Sequence, residues 1–213
     1  MKYSLIKATY NGNSCVLKEN LIEYVVALLD VMTENVEDAL INLKAKDEIV
    51  IEERDDGTGN WIYLSYFYNT EQEIAIRIKR LQESANVKKI KNIKAALKKV
   101  EMNSNIELSE KQKESIELVN ENNVTIITGG PGTGKTTIIK SIIDIYEEKG
   151  NKVVLCAPTG RAAKKMTETT GKESSTLHRL LEIGKIDENN FYQSSSEYEG
   201  APIDADLIIV DEL

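Results

Sequence analysis

The eight residues Gly129-Gly130-Pro131-Gly132-Thr133-Gly134-Lys135-Thr136 constrain this chain more than any other segment. They fit the phosphate-binding loop pattern GxxxxGK followed by Ser or Thr. Glycines let a backbone wrap closely around phosphate oxygens and point its N–H groups inward. A helix opening near Lys135 turns its positive dipole end toward the same anion. The lysine of such a loop reaches the β- and γ-phosphates, and the hydroxyl at the position of Thr136 ligates Mg²⁺. The loop follows an apolar run, Val124 to Ile127, and opens an amphipathic one containing Ile138, Ile139, Ile142 and Ile143. This strand–loop–helix context predicts a nucleotide site formed by Gly130, Pro131, Gly132, Thr133, Gly134, Lys135, Thr136 and Thr137, for ATP or GTP.

A second chemical signal lies near the other end. Leu207-Ile208-Ile209-Val210 reads as a short buried strand delivering Asp211 and Glu212 to its carboxyl end. Open α/β sheets bind ligands along that edge. An aspartate there can hold the Mg²⁺ shell, and an adjacent glutamate can orient and deprotonate an attacking water. Alone, such a pair more often marks a surface turn. Downstream of a phosphate-binding loop, it marks Asp211 as a metal ligand with Thr136, and Glu212 as a catalytic group with Lys135. Having both acids favours a hydrolase over a nucleotide kinase.

Between these signals the chain alternates strand and helix. The expected elements are strands at Val124 to Ile127, Lys152 to Ala157 and Asp206 to Val210, with helices at Thr136 to Glu148 and Arg161 to Thr169. Apolar, β-branched strands separated by helices indicate a parallel sheet covered by helices. The first part differs. Leu21 to Val31 is apolar enough for a buried helix, and Thr33 is placed to cap a second with Val36, Leu40 and Leu43 at helical spacing. A period of two follows around Ile49 and Ile51, then the turn-rich Asp55 to Asn60 and the β-prone Trp61-Ile62-Tyr63-Leu64. Two helices and a hairpin outline a winged-helix module over residues 1–70. Residues 71–104 read as a basic helical linker, and residues 105–213 as the α/β domain.

Composition narrows the class. With 41% hydrophobic and 29% charged residues, the chain has the balance of a globular protein. No apolar stretch approaches a membrane span, and Met1-Lys2-Tyr3-Ser4 lacks a secretory core. Cys15 and Cys156 suggest neither a disulfide framework nor a metal site, so a cytoplasmic setting is the expectation. A net charge of −8 argues against general nucleic-acid stickiness. The stretch from Arg77 to Lys99 holds nine cations with Glu83 as its only acid, and fits either a solvated helix face or a DNA contact.

Further residues carry a resemblance. Ala157-Pro158-Thr159-Gly160-Arg161-Ala162-Ala163-Lys164-Lys165 resembles motif Ia of superfamily 1 helicases in the form used by the RecD-like group. Ser175-Thr176-Leu177-His178-Arg179-Leu180-Leu181 is similar to a following segment of that group, and Pro202 to Asp206 to its lead-in to motif II. Leu108-Ser109-Glu110-Lys111-Gln112 resembles the glutamine motif. The resemblance implies a RecA-like motor domain and a 5′-to-3′ single-strand DNA translocase acting in recombination or repair, with single strands and DNA junctions as partners. It makes Gln112 an adenine contact, and Thr159, Arg161 and Lys164 DNA-backbone contacts. Local readings stand beside these. Gln112 has capping-box spacing from Ser109, Thr159-Gly160 fits a strand-to-helix turn, His178 reads as a structural helix residue, and Cys156 reads as a small strand residue.

Members of that group continue past the acidic pair with a sensor motif, an arginine and a second motor domain, none of which follows Leu213 here. In their sheets the next strand inserts between the loop strand and the acidic-pair strand. The expectation is therefore an incomplete RecA-like domain with two unpaired strand edges, part of a longer motor, folding weakly and not unwinding DNA alone. Two other readings fit the loop. One is a nucleotide-regulated DNA-binding protein whose winged module grips duplex. The other is a clamp loader or transporter ATPase, against which Ala157 to Lys165 argues.

Overall fold

The computed structural model describes residues 1–54, 57–85, 88–183 and 202–212. Asp55 and Asp56 of the expected turn, and the terminal Leu213, lie outside the described residues. The chain divides into two compact units, Met1–Arg80 and Leu81–Leu213. The division falls inside one helix rather than at residues 70 and 104.

The first unit contains α1 (Lys2–Tyr10), β1 (Cys15–Leu17), α2 (Lys18–Leu29), α3 (Thr33–Ala45), β2 (Ile49–Arg54) and β3 (Gly59–Leu64), and α4 (Ser65–Glu83) leads out of it. The expected hairpin is present. β2 and β3 pair antiparallel with Ile49 opposite Leu64 and Ile51 opposite Ile62. β1 adds to the other side of β3, giving the order β1-β3-β2. Leu5, Leu21, Val25, Val36 and Leu40 from the three helices pack onto Ile49 and Ile62. α2 stops at Asp30, whose left-handed φ of 52° lets its N–H bond the carbonyl of Val26. Thr33 is not a cap as expected. It is the first residue of α3, which Met32 precedes without a side-chain cap.

The second unit contains α5 (Ile93–Ser104), α6 (Glu110–Glu121), α7 (Lys135–Glu148), β4 (Val153–Ala157), α8 (Gly160–Thr170), β5 (Ser174–Thr176), α9 (Leu177–Leu180) and β6 (Leu207–Val210). Its sheet is parallel, in the order β5-β4-β6, as alternation of strand and helix predicts. Ile138, Ile142, Ile143, Ile145 and Tyr146 of α7 form the centre of the core with Leu97, Val100, Ile116, Val153, Leu155 and Met166. A buried amide clamps the chain entering α5. Asn120 accepts from the Ile90 N–H at 2.7 Å and donates to the Ile90 carbonyl at 3.2 Å.

One expected strand is not formed. Val124 to Ile127 has no ladder, and Ile126 is 84% exposed. Among the described residues β6 pairs only with β4. Val124, Thr125 and Ile127 face Leu207 to Asp211 across a cavity of about 570 Å³, also lined by Ile139 and Ile142. A β-prone run becomes a strand only when a neighbour satisfies its N–H and C=O groups. Here the space between the two runs is open.

The basic stretch is not one helix face. Arg77 lies on α4 and pairs with Glu73. Lys88 pairs with Asp206 at 2.8 Å and Lys99 with Glu148 at 2.7 Å. Lys94 and Lys98 border a groove whose other wall carries Glu110, Glu114 and Glu117 of α6. Arg77, Lys88 and Lys99 are thus each engaged by a carboxylate. Among the described residues, no helix is long and apolar enough to cross a membrane.

Leu40 is 1% exposed at the centre of the first unit's core. Leu40→Ala is expected to cost about 3 kcal/mol through lost burial and the cavity left behind. Urea unfolding followed by fluorescence of Trp61, the single tryptophan, measures it.

Candidate nucleotide-binding site

The site begins with the path of the chain around Gly134. This residue precedes α7 with a left-handed φ of 85°. A Cβ there would collide with Nε2 of Gln112, so both conformation and space require glycine. At the loop's other end, a Cβ on Gly129 would lie 2.6 Å from the Thr133 hydroxyl oxygen. That hydroxyl donates to the Gly130 carbonyl at 2.9 Å and holds the loop closed on itself. The Lys135 ammonium donates to the Gly129 carbonyl and, at 3.0 Å, to that of Gly130. The cation is thus folded back onto two carbonyls of its own loop. Thr136 is exposed on the first turn of α7, and Thr137 beside it is half-buried.

Gln112 does two things at once. Its side-chain carbonyl accepts from the Ser109 N–H at 2.9 Å while the Ser109 hydroxyl accepts from the Gln112 N–H at 3.3 Å, a complete capping box for α6. Its Nε2 also donates to the Thr133 carbonyl at 3.3 Å. The cap is therefore real, and the same side chain contacts the phosphate-binding loop.

The acidic pair sits at the carboxyl end of β6. In register, Cys156 lies opposite Val210, so β4 and β6 end together. The Asp211 N–H continues the ladder to the Cys156 carbonyl at 3.1 Å, and its Oδ1 accepts from the Glu212 N–H at 3.1 Å. Asp211 and Lys135 line the same cavity. Glu212 is not among its lining residues. It has a left-handed φ of 59°, and its carboxylate lies 3.6 Å from the ammonium of Lys165.

Thr159 is the N-cap of α8, its hydroxyl accepting from the Ala162 N–H at 3.2 Å. This is the strand-to-helix turn expected on local grounds. Ala162, Ala163 and Met166 are buried, which turns Arg161, Lys164 and Lys165 outward on one face. Lys164 is 3.9 Å from Glu168, one turn along the helix. His178 is exposed on the short α9. Cys156 is buried on β4, its thiol near the Ile209 carbonyl, and burial pushes that thiol's pKa up.

Sequence reasoning gave Asp206 no role of its own, yet it ties down β6. Its carboxylate accepts from the Lys88 ammonium at 2.8 Å and the Lys152 N–H at 2.9 Å. Those two donors, Lys88 foremost, hold its pKa below the ordinary carboxylate value. The aspartate thereby joins the start of β6 to the start of β4. An acid preceding an apolar strand was the available signal, but its partners are 118 and 54 residues away.

Ser109→Ala and Gln112→Ala separate the two roles of the capping box. Each is expected to cost about 1 kcal/mol of stability through the lost cap. Only Gln112→Ala should also weaken nucleotide binding, by titration with a fluorescent ATP analogue, because only it loses the loop contact.

Residues 112–213 match the AAA domain family. The chain is 36% identical over 152 residues to the ATP-dependent RecD2 DNA helicase of Deinococcus radiodurans, which covers 71% of this chain and 20% of that protein. It is 37% identical over 122 residues to the RecBCD enzyme subunit RecD of Buchnera aphidicola, covering 48% of this chain and 19% of the relative. With the ATP-dependent DNA helicase dda of Enterobacteria phage T4 the identity is 38% over 87 residues, 38% of this chain and 20% of the phage protein. The chain thus spans about one fifth of the length of these curated relatives. Together with the loop, the acidic pair and the α8 segment, these similarities support a RecD-like superfamily 1 helicase region in this chain.

Proposed function

We propose that the parent polypeptide is an ATP-dependent DNA helicase, moving 5′ to 3′ along single strands in recombination or repair. This chain would contribute the ATP-binding half of the motor. The observation that carries the reading is that Lys135, at the start of α7, and Asp211, at the carboxyl end of β6, line one cavity. α8, with its outward cations, starts from the same edge.

In this reading Gly130 to Thr137 cradle the triphosphate and Lys135 exchanges its loop carbonyls for phosphate oxygens. Thr136 and Asp211 offer a hydroxyl and a carboxylate, the hard oxygen donors that Mg²⁺ takes alongside phosphates and water. When bound, the ion neutralises charge on the β- and γ-phosphates. Glu212 orients and deprotonates water, Gln112 meets the adenine, and Thr159, Arg161 and Lys164 hold the DNA backbone. Junction recognition belongs to the whole protein.

Two structural readings go with it. The open space between β6 and Val124 to Ile127 suits an additional extended segment of the parent polypeptide, completing a RecA-like sheet. The first unit, with three helices and the sheet β1-β3-β2, supports a winged-helix-like assignment. Its charge does not favour a duplex-gripping module. α3 carries Glu34, Glu37 and Asp38 against Lys44. On the hairpin, Arg54 is occupied by Glu52, by the Tyr63 hydroxyl at 2.7 Å and by the Trp61 ring at 4.7 Å. The regulated duplex-binding alternative therefore gains no support.

Lys135→Ala in the full-length protein is expected to reduce ATP turnover to below about one hundredth, the scale of losing a charge-stabilising donor. Glu212→Gln should abolish turnover while nucleotide binding persists. Steady-state ATPase assays with single-stranded DNA measure both, and undiminished turnover in Lys135→Ala would overturn the reading.

A further inference from the structure

The exposed pair Lys165–Glu212 joins two parts of the site that the reading above keeps separate. The two groups lie 3.6 Å apart, with side chains 69% and 53% exposed. Such a pair adds little to folding. Its position is the informative feature. Lys165 stands one residue after Lys164 and four after Arg161, so the three cations share the outward face of α8. Glu212 follows Asp211, yet the two acids diverge. Asp211 lines the cavity with Lys135, whereas Glu212 is directed to the lysine of α8. The register of β4 with β6, Cys156 opposite Val210, brings the α8 start and the acidic pair to one edge.

We infer that Lys165 is a positioning residue that couples a DNA phosphate on α8 to the orientation of Glu212. The inference rests on the helicase reading of the site. With the α8 face empty, the Lys165 ammonium holds the Glu212 carboxylate away from the cavity. A phosphate drawn by Arg161 and Lys164 competes for that ammonium, because one cation cannot satisfy both anions at full strength. The freed carboxylate then turns toward the cavity where Lys135 and Asp211 stand, and water activation follows. An exposed pair suits this role, since it is weak enough for a phosphate to displace. Only a ligand with different affinity for the paired and unpaired states shifts such an equilibrium, and a phosphate competing for Lys165 is one.

Linkage supplies a test that does not depend on catalysis. If phosphate binding releases Glu212, removing the Glu212 charge must tighten phosphate binding by the same factor. The experiment uses the full-length protein without nucleotide and a fluorescently labelled oligothymidylate. Glu212→Gln is expected to tighten binding about threefold, the scale of an exposed ion pair, and to have no such effect in a Lys165→Gln background. ATP turnover without DNA should rise about threefold in Lys165→Gln, with less stimulation by the oligothymidylate. Equal tightening by Glu212→Gln in both backgrounds, or none in either, would overturn the coupling. Failure of the underlying reading is distinguishable, since Lys135→Ala would then keep its turnover whatever Lys165 does.

Discussion

The pairing of β4 with β6 is the constraint on which the second unit depends. β4 is the middle strand, and its parallel register with β6 aligns residues more than 50 positions apart. Asp206 fixes the start of that register through Lys88 and the Lys152 N–H. The end of the register decides where chemistry can occur. A parallel pair sends both chains out at one edge, so the turn into α8 and the acidic pair emerge side by side. A slip of one residue would reverse which of Asp211 and Glu212 faces the cavity.

The phosphate-binding loop solves a different problem. A backbone that offers N–H groups to an anion must curve in ways most residues resist, and Gly134 shows both sides of that demand. Its left-handed conformation excludes a side chain, and the space a side chain would fill holds Gln112. The glutamine closes the first turn of α6 and touches Thr133 in the same act. Stability of a neighbouring helix and the shape of the loop are thereby coupled through one side chain.

The two units differ in how they use charge. In the first, the Arg54 guanidinium lies between Glu52, Tyr63 and the face of Trp61, an arrangement that stiffens the hairpin and leaves the cation engaged. In the second, Lys88 and Lys99 are joined to carboxylates 118 and 49 residues away. Arg161 and Lys164 project from α8, whose buried face is made of Ala162, Ala163 and Met166. Density of basic residues in the sequence therefore indicated where cations occur, and packing decided which of them face outward.

Much was determined by the sequence alone. The loop from Gly129 to Thr136, the helix after it, the strand to Ala157 and the acidic pair after Val210 all follow from local rules of spacing, period and glycine conformation. So does the antiparallel pairing of β2 with β3. What local rules could not give was anything that needs a distant partner. β1 is a strand because Cys15 to Leu17 finds Trp61 to Tyr63, and Val124 to Ile127 is not one because no described strand pairs with it. The joint role of Gln112, the anchoring by Asp206 and the turn of Glu212 toward Lys165 belong to the same class. Each is a hydrogen bond or ion pair between residues far apart in the chain, and only the folded backbone brings them within reach.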